Sequence, residues 1–286
     1  MDWLAEPVML AGVAGLFGLL VGSFLNVVIL RLPARLMHEW RAQGREVLEL
    51  PQVDDAAPPD LVFQGSHCPQ CKHALSPFDN IPLASFVALG GRCRYCRAAI
   101  SWQYPAVELV TGLASAACAL HYGLAPALFA ALAFTWMLIA LTVIDLRTQL
   151  LPDQLTLPLL WLGLLAATLG WTPLNAGAAI LGAAAGYLSL WSVYWLFKLA
   201  TGKEGMGYGD FKLLGAIGAF TGWQGILPVL LLSSFIGAIV GSIWLAVQGR
   251  DRATPIPFGP YLAAAGWVQL LFGAELIASW LRWSGW

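Results

Sequence analysis

Eight apolar runs, each long enough or nearly long enough to cross a bilayer, divide this 286-residue chain. They fall at about 8–30, 103–121, 124–144, 155–171, 175–197, 211–223, 225–248 and 257–281. Crossing a bilayer core takes about 20 helical residues. Inside it, only helices or closed barrels satisfy every backbone polar group. Composition agrees: 59% of residues are hydrophobic and only 11% charged, against about 25% charged in soluble domains. The expected fold is an all-α polytopic membrane protein of about eight transmembrane helices. The window at 211–223 is short and rich in glycine, so a broken or tilted helix is expected there. Links such as "HYG" and "WTPLN" make successive spans antiparallel.

The first run is too long for a signal-peptide core, and Asp2 and Glu6 precede it where Lys or Arg would stand. It reads as a retained span. With the N-terminus outside and eight alternating spans, Arg282 is the one basic residue on the outer side. Arg31, Arg35, Arg41, Arg45, Lys72, Arg92, Arg94, Arg97, Arg147, Lys198, Lys203, Lys212, Arg250 and Arg252 all fall inside. That asymmetry predicts both termini outside and the long polar loop in the cytosol. Three regions follow: residues 1–30 as the first transmembrane helix, 31–102 as a cytosolic insertion between helices 1 and 2, and 103–286 as a core of about seven helices. The insertion opens with charges mixed among Met37, Trp40, Val47 and Leu48. This stretch reads either as a short amphipathic helix at the membrane surface or as a solvated connector, followed by a Pro/Asp linker. The lipid bilayer is one partner; nothing calls for nucleic acid, and oligomeric state is not legible.

Cys68, Cys71, Cys93 and Cys96 form two C-x2-C knuckles about 20 residues apart, a spacing that places four sulfurs around a tetrahedral zinc ion. A reducing cytosol argues against disulfides, and Lys72, Arg92, Arg94 and Arg97 favour the thiolates that bind metal. Four cysteines leave no open coordination position, so such a zinc is structural. His67 and His73 are bystanders, and Cys118 is a small buried residue within a span.

Acidic residues in or beside spans mark function by default. Glu108, Asp145, Asp153, Asp210 and Glu275 qualify. Asp145 ends a span where the helix dipole disfavours an anion; a role in chemistry and a pairing with Arg147 are both open. Asp153 follows Pro152 and reads as the N-terminal cap of the fourth span. Asp210 begins a helix, and capping is again open. Gly205, Gly207 and Gly209 add backbone that takes positive φ or lets another chain approach closely, which points to a water-reached pocket beside Asp210. Two carboxylates on different helices at one depth can share a proton where they are held close, and the sequence leaves open whether Asp145 and Asp210 meet. One then acts as base on water while the other polarises a carbonyl. A proton relay in a transporter uses the same parts, but no internal repeat supports it. A non-enzymatic assembly factor docking through the knuckles would leave Asp210 unexplained.

"GMGYGDFK", with "IDLRTQLLPDQLTLP" upstream, "GSFLNVVILRLP" near the start and the two knuckles, together resemble bacterial type IV prepilin peptidases. The resemblance covers about residues 20–260. It implies a membrane aspartic endopeptidase of the cell inner membrane whose catalytic pair is Asp145 and Asp210. The expected substrates are type IV prepilins or type II secretion pseudopilins, cut at their basic leaders on the cytosolic side. It also implies N-methylation of the new terminus with S-adenosylmethionine. No glycine fingerprint for that donor is visible. Asn26 and Glu108 are its candidate contacts, each equally readable as a packing residue. Gly15, Gly18 and Gly22 read as close helix packing, and Asp79 with Asn80 as a turn.

Overall fold

The computed structural model describes residues 6–51, 56–248 and 257–284. Asp2, the linker residues Asp54 and Asp55, and Arg250 and Arg252 lie outside them. Among the described residues the long elements are all helices: α1 (Pro7–Val47), α2 (Ala84–Ala88), α3 (Gln103–Tyr122), α4 (Pro126–Thr148), α5 (Asp153–Thr168), α6 (Ala176–Thr201), α7 (Tyr208–Gln248) and α8 (Gly259–Ser284). A 3-10 turn covers Pro77–Asn80. Helices α1, α4, α6 and α7 as far as Ile243 are long and apolar enough to cross a membrane on those grounds alone. Helix α5, with 16 residues, is about 24 Å long.

The chain forms two compact units, Met1–Leu120 and His121–Trp286. The division falls in the last turn of α3, with His121 and Tyr122 belonging to the second unit, whereas the sequence suggests one before the helix. The reason lies in the small residues of α1. A Cβ on Gly18 would strike Ser115 and the Thr111 carbonyl, and one on Gly22 would strike the Glu108 backbone. The two helices therefore run antiparallel at backbone contact, as the glycine spacing predicts. Helix α1 also does not end near residue 30. It continues unbroken to Val47 through Pro33, about 60 Å at the helical rise, so the stretch left open between an amphipathic helix and a solvated connector is helical and is the end of α1 itself. Past it, the Arg31 guanidinium donates to the carbonyls of Asp60, Gln64 and Gly65, which ties the following loop back to the helix.

In the second unit, the short glycine-rich window proves to be the centre of the bundle. Phe211, Leu213, Leu214, Ala216, Ile217 and Ala219 are all fully buried, as expected of a helix that is apolar all round. Its glycines admit its neighbours. Gly218 meets the Gly182 backbone of α6, Gly215 lies against Ala183, and Ile217 fills the space at Gly266 of α8.

The sixth and seventh windows join into α7, which is interrupted at Gly222 (φ 72, ψ 173). The chain reverses there. Gly218 lies against Ile226, eight positions on, a contact out of reach along a straight helix (about 12 Å). Farther along, Gly237 packs on Tyr261, near Gly259 and thus at the end where α7 began. Two limbs, 208–221 and 223–248, form a helical hairpin. Counted with α1, α3, α4, α5, α6 and α8, they account for the eight expected spans.

Candidate active site

Asp145 lies three residues before the end of α4 and Asp210 in the first turn of α7. Both are buried, at 5% and 8% exposure. They are close enough for the charge of one to act on the other. One oxygen of Asp145 accepts the backbone N–H of Gly259 at 3.0 Å, at the first residue of α8. A Cβ on Gly259 would lie 2.6 Å from that same oxygen, so only glycine lets the backbone come so near. Leu151 sits between the starts of α7 and α8. Its side chain occupies the space beside Gly259 and, at 2.7 Å from a built Cβ, the space beside Gly209. Helices α4, α7 and α8 thus meet at one end of the bundle around two carboxylates, two glycines and one leucine.

The glycines before Asp210 serve close approach rather than unusual dihedrals. None of Gly205, Gly207 and Gly209 has positive φ. Gly205 faces the ring of Phe197, and Gly207 faces the Asp210 carboxylate. The segment between α6 and α7 is anchored by Gly202 in the left-handed conformation (φ 70) and by a 2.7 Å ion pair from Lys198 to Glu204. Asp210 is not the helix cap: α7 has already begun at Tyr208, and the Asp210 N–H donates to the Gly207 carbonyl. Because Asp210 is buried, the water-reached pocket expected at its side chain does not lie open. Asp153 also differs from expectation. It is the first residue of α5, the cap position belongs to Pro152, and no side chain caps the helix. Its carboxylate instead takes Lys212 at 2.7 and 2.8 Å, joining the starts of α5 and α7.

In the first unit the four expected cysteines converge. Their sulfurs all lie within 4.8 Å of one another, with Cys68 and Cys96 at 3.8 Å and no disulfide among them. Sulfurs about 2.3 Å from a central tetrahedral ion stand about 3.8 Å apart, so the cluster fits a metal ion. Two matching backbone folds build it. The N–H groups of Cys68 and Cys93 bond to the carbonyls of His73 and Ala98, and those of Lys72 and Arg97 bond back to Cys68 and Cys93. Lys72 and Arg97 take positive φ, 59° and 60°. Within the cluster the Cys71 backbone N–H is the main influence lowering the Cys68 thiol to about 6, while Cys96 is pushed up to about 11.

Comparison with known proteins places the chain. The Bacterial Peptidase A24 N-terminal domain matches residues 16–122, and the Type IV leader peptidase family matches residues 132–242. The prepilin leader peptidase/N-methyltransferase of Xanthomonas campestris pv. campestris is 54% identical over 272 residues, 95% of this chain and 94% of the relative. This chain belongs to the type IV leader peptidase family. Similar proteins of the same name in Pseudomonas aeruginosa and Dichelobacter nodosus are 52% and 48% identical, over 100% and 92% of this chain and 98% and 91% of theirs. No solved structure matches the chain.

The two matched regions of this leader peptidase family member parallel its two compact units. Within the first, Asn26 and Glu108 are engaged by the chain itself. The Asn26 amide donates to the carbonyls of Gly22 and Tyr104 and accepts from Gln103. Glu108 accepts the Leu83 N–H at 2.9 Å and bonds Ser23. These contacts favour the packing side of the two readings. Asp79 does form a turn, in a reciprocal cap with Ser76, and it also takes Arg94 at 2.6 Å, which joins the turn to the second knuckle. Sequence reasoning missed Gly259 and Leu151. "PFGP", at 257–260, is visible as a turn signal, but nothing local says which carboxylate that turn will meet.

Proposed function

We propose that the chain is a membrane aspartic endopeptidase that removes the basic leader of type IV prepilins or type II secretion pseudopilins and N-methylates the new terminus. The observation that carries the peptidase reading is the buried meeting of Asp145 and Asp210, with Gly259 holding one oxygen of the former. Two carboxylates held close do not both ionise, so the pair keeps one proton. The ionised member takes a proton from water, and the resulting hydroxide attacks the scissile carbonyl carbon. The protonated member donates to the carbonyl oxygen. The C–N bond then breaks, and the leaving amine takes up a proton.

The carboxylate end of the bundle faces the cytosol in this reading, with both termini periplasmic in the inner membrane. Arg147, Lys198, Lys203 and Lys212 all stand at that end, as the positive-inside rule asks. Helix α1 as far as about residue 30 serves as the first span, residues 31–102 as a cytosolic insertion that begins on the extension of α1, and α4–α8 as the peptidase core. Cys68, Cys71, Cys93 and Cys96 hold a structural zinc ion that fixes the two knuckles. S-adenosylmethionine supplies the methyl group when bound. Asn26 and Glu108 bond within the chain itself, to the Gly22 and Tyr104 carbonyls and to the Leu83 N–H.

The test is cleavage of a purified prepilin in detergent by wild type, Asp145→Asn and Asp210→Asn, read by mass spectrometry with and without S-adenosylmethionine. Wild type should lose a leader-sized mass and gain a methyl mass with the donor, while either variant loses cleavage. Full cleavage by one variant would remove that residue from the catalytic role.

A further inference from the structure

The carboxylate pair leaves the opposite end of the α4–α8 bundle without a role. A cavity of about 250 Å³ opens there between the start of α4, the link from α5 to α6, the apex of α7 and the second half of α8. Its wall includes Tyr122, Trp171, Thr172, Thr221, Gln269 and Glu275. Ala130, also on the wall, is about 22 Å along α4 from Asp145. Gln269 is 7% exposed and is admitted by glycines on both sides: a Cβ on Gly225 or Gly273 would crowd its side chain. Yet its Oε1 has no hydrogen-bond partner among the described residues, and neither has the Thr172 hydroxyl. Buried polar atoms are ordinarily paired, and an unpaired one asks for an explanation.

The chemistry of the wall limits what can complete it. An amide oxygen only accepts, and so does the Glu275 carboxylate. The hydroxyl protons of Tyr122 and Thr221 are already given to the carbonyls of Leu270 and Ile217. The described wall carries no Lys or Arg; His121, also part of it, packs edge-on against the Tyr122 ring. What Gln269 Oε1 lacks is therefore a donor, and the Thr172 hydroxyl, itself unpaired, does not supply it. The carboxylate and the aromatic faces of Trp171 and Tyr122 favour one with positive charge. The space equals about eight waters at roughly 30 Å³ each, which suits a small organic group. The cavity lies where spans end, at the depth of lipid headgroups, where Trp and Tyr gather.

We propose that this cavity binds a primary ammonium group, that of an ethanolamine-type phospholipid headgroup, with Gln269 Oε1 and the Glu275 carboxylate accepting its N–H bonds. A choline headgroup has the charge but no N–H, so it cannot satisfy Gln269. The site is distinct from the carboxylate pair and does not depend on the peptidase reading.

Native mass spectrometry of the full chain in detergent tests it, with phospholipids of identical acyl chains and ethanolamine, choline or glycerol headgroups. One ethanolamine-headed lipid should be retained at a concentration about tenfold below that for the choline lipid, the range of one or two charged hydrogen bonds. Gln269→Leu and Glu275→Gln should erase the preference. Gln269→Glu keeps the shape and adds charge, so it should keep the preference and controls for loss of fold. Free ethanolamine that displaces the lipid would assign recognition to the amine from any source; failure to displace it, with the preference intact, would assign it to the lipid. Equal retention of ethanolamine and choline lipids by wild type, or a preference untouched by Gln269→Leu, would overturn the proposal.

Discussion

Leu151 fills the space between the starts of α7 and α8, beside Gly209 and Gly259, next to both carboxylates. Gly209→Ala should crowd Leu151 and cost about 1–3 kcal/mol, with loss of cleavage although no carboxylate is altered. Leu151→Ala in the same chain should restore part of both, a coupling that thermal melts and kcat measure together; independent effects of the two changes would mean they do not touch. Asp79 gives a second prediction, in pH. The Arg94 guanidinium is the main influence holding its carboxyl at about 2, below the usual 3.8. A carboxyl lowered in the fold stabilises it fully above the unfolded value and loses that contribution as pH falls through the folded one. Protection of residues 56–102 from protease should therefore drop between about pH 4 and pH 2, and Asp79→Asn should remove that step; an unchanged step would place its origin elsewhere. At this scale the sequence was half legible. Residue types named Asp145, Asp210 and the four cysteines, because a charge in an apolar run and a C-x2-C spacing stand out locally. Gly259, Leu151 and the pairing of Asp153 with Lys212 are relations between distant positions, and composition says nothing about those.

Helix α7 reverses at a residue whose dihedrals, φ 72 and ψ 173, are essentially confined to glycine. Gly222→Val should cost about 1–3 kcal/mol for that strain. It should lower the melting temperature while leaving metal content unchanged. A variant as stable as wild type would mean the apex relaxes freely. Periodicity marked 211–223 as short and breakable, but not as central, because apolar faces turned to lipid and to protein read alike in a sequence. The same blindness placed the end of α1 near residue 30: polarity changes there, whereas the helix, held by its own backbone bonds, runs on to Val47.

Two compact units make a whole whose parts should fail separately. Cys68→Ser, or a strong chelator, should release the metal and expose residues 56–102 to hydrogen exchange, since metal-binding energy is folding energy in so small a segment. The α4–α8 core should keep its protection. Uniform loss across both units would show that they fold as one, and unchanged metal content would refute the zinc reading. The eight-span count was legible because the bilayer asks an apolar run of every span, even of those too short to cross it alone. The division in the last turn of α3 was not, because it depends on which helix the glycines of α1 happen to meet. The α7 hairpin, finally, bears on how the protein is made. Its first limb, 208–221, is about 20 Å long, too short for a core of about 30 Å, and it is covered on every side by helices, one of which, α8, is translated later. A ribosome that has delivered both Asp145 and Asp210 has therefore not yet delivered the site. The second limb must be synthesised before the first can settle in the membrane, and Gly259 must emerge before Asp145 has its backbone donor. If Asp145 and Asp210 form the catalytic pair, activity begins only once the start of α8 is in place, so a nascent chain would not cut its neighbours while it is still being threaded into the bilayer.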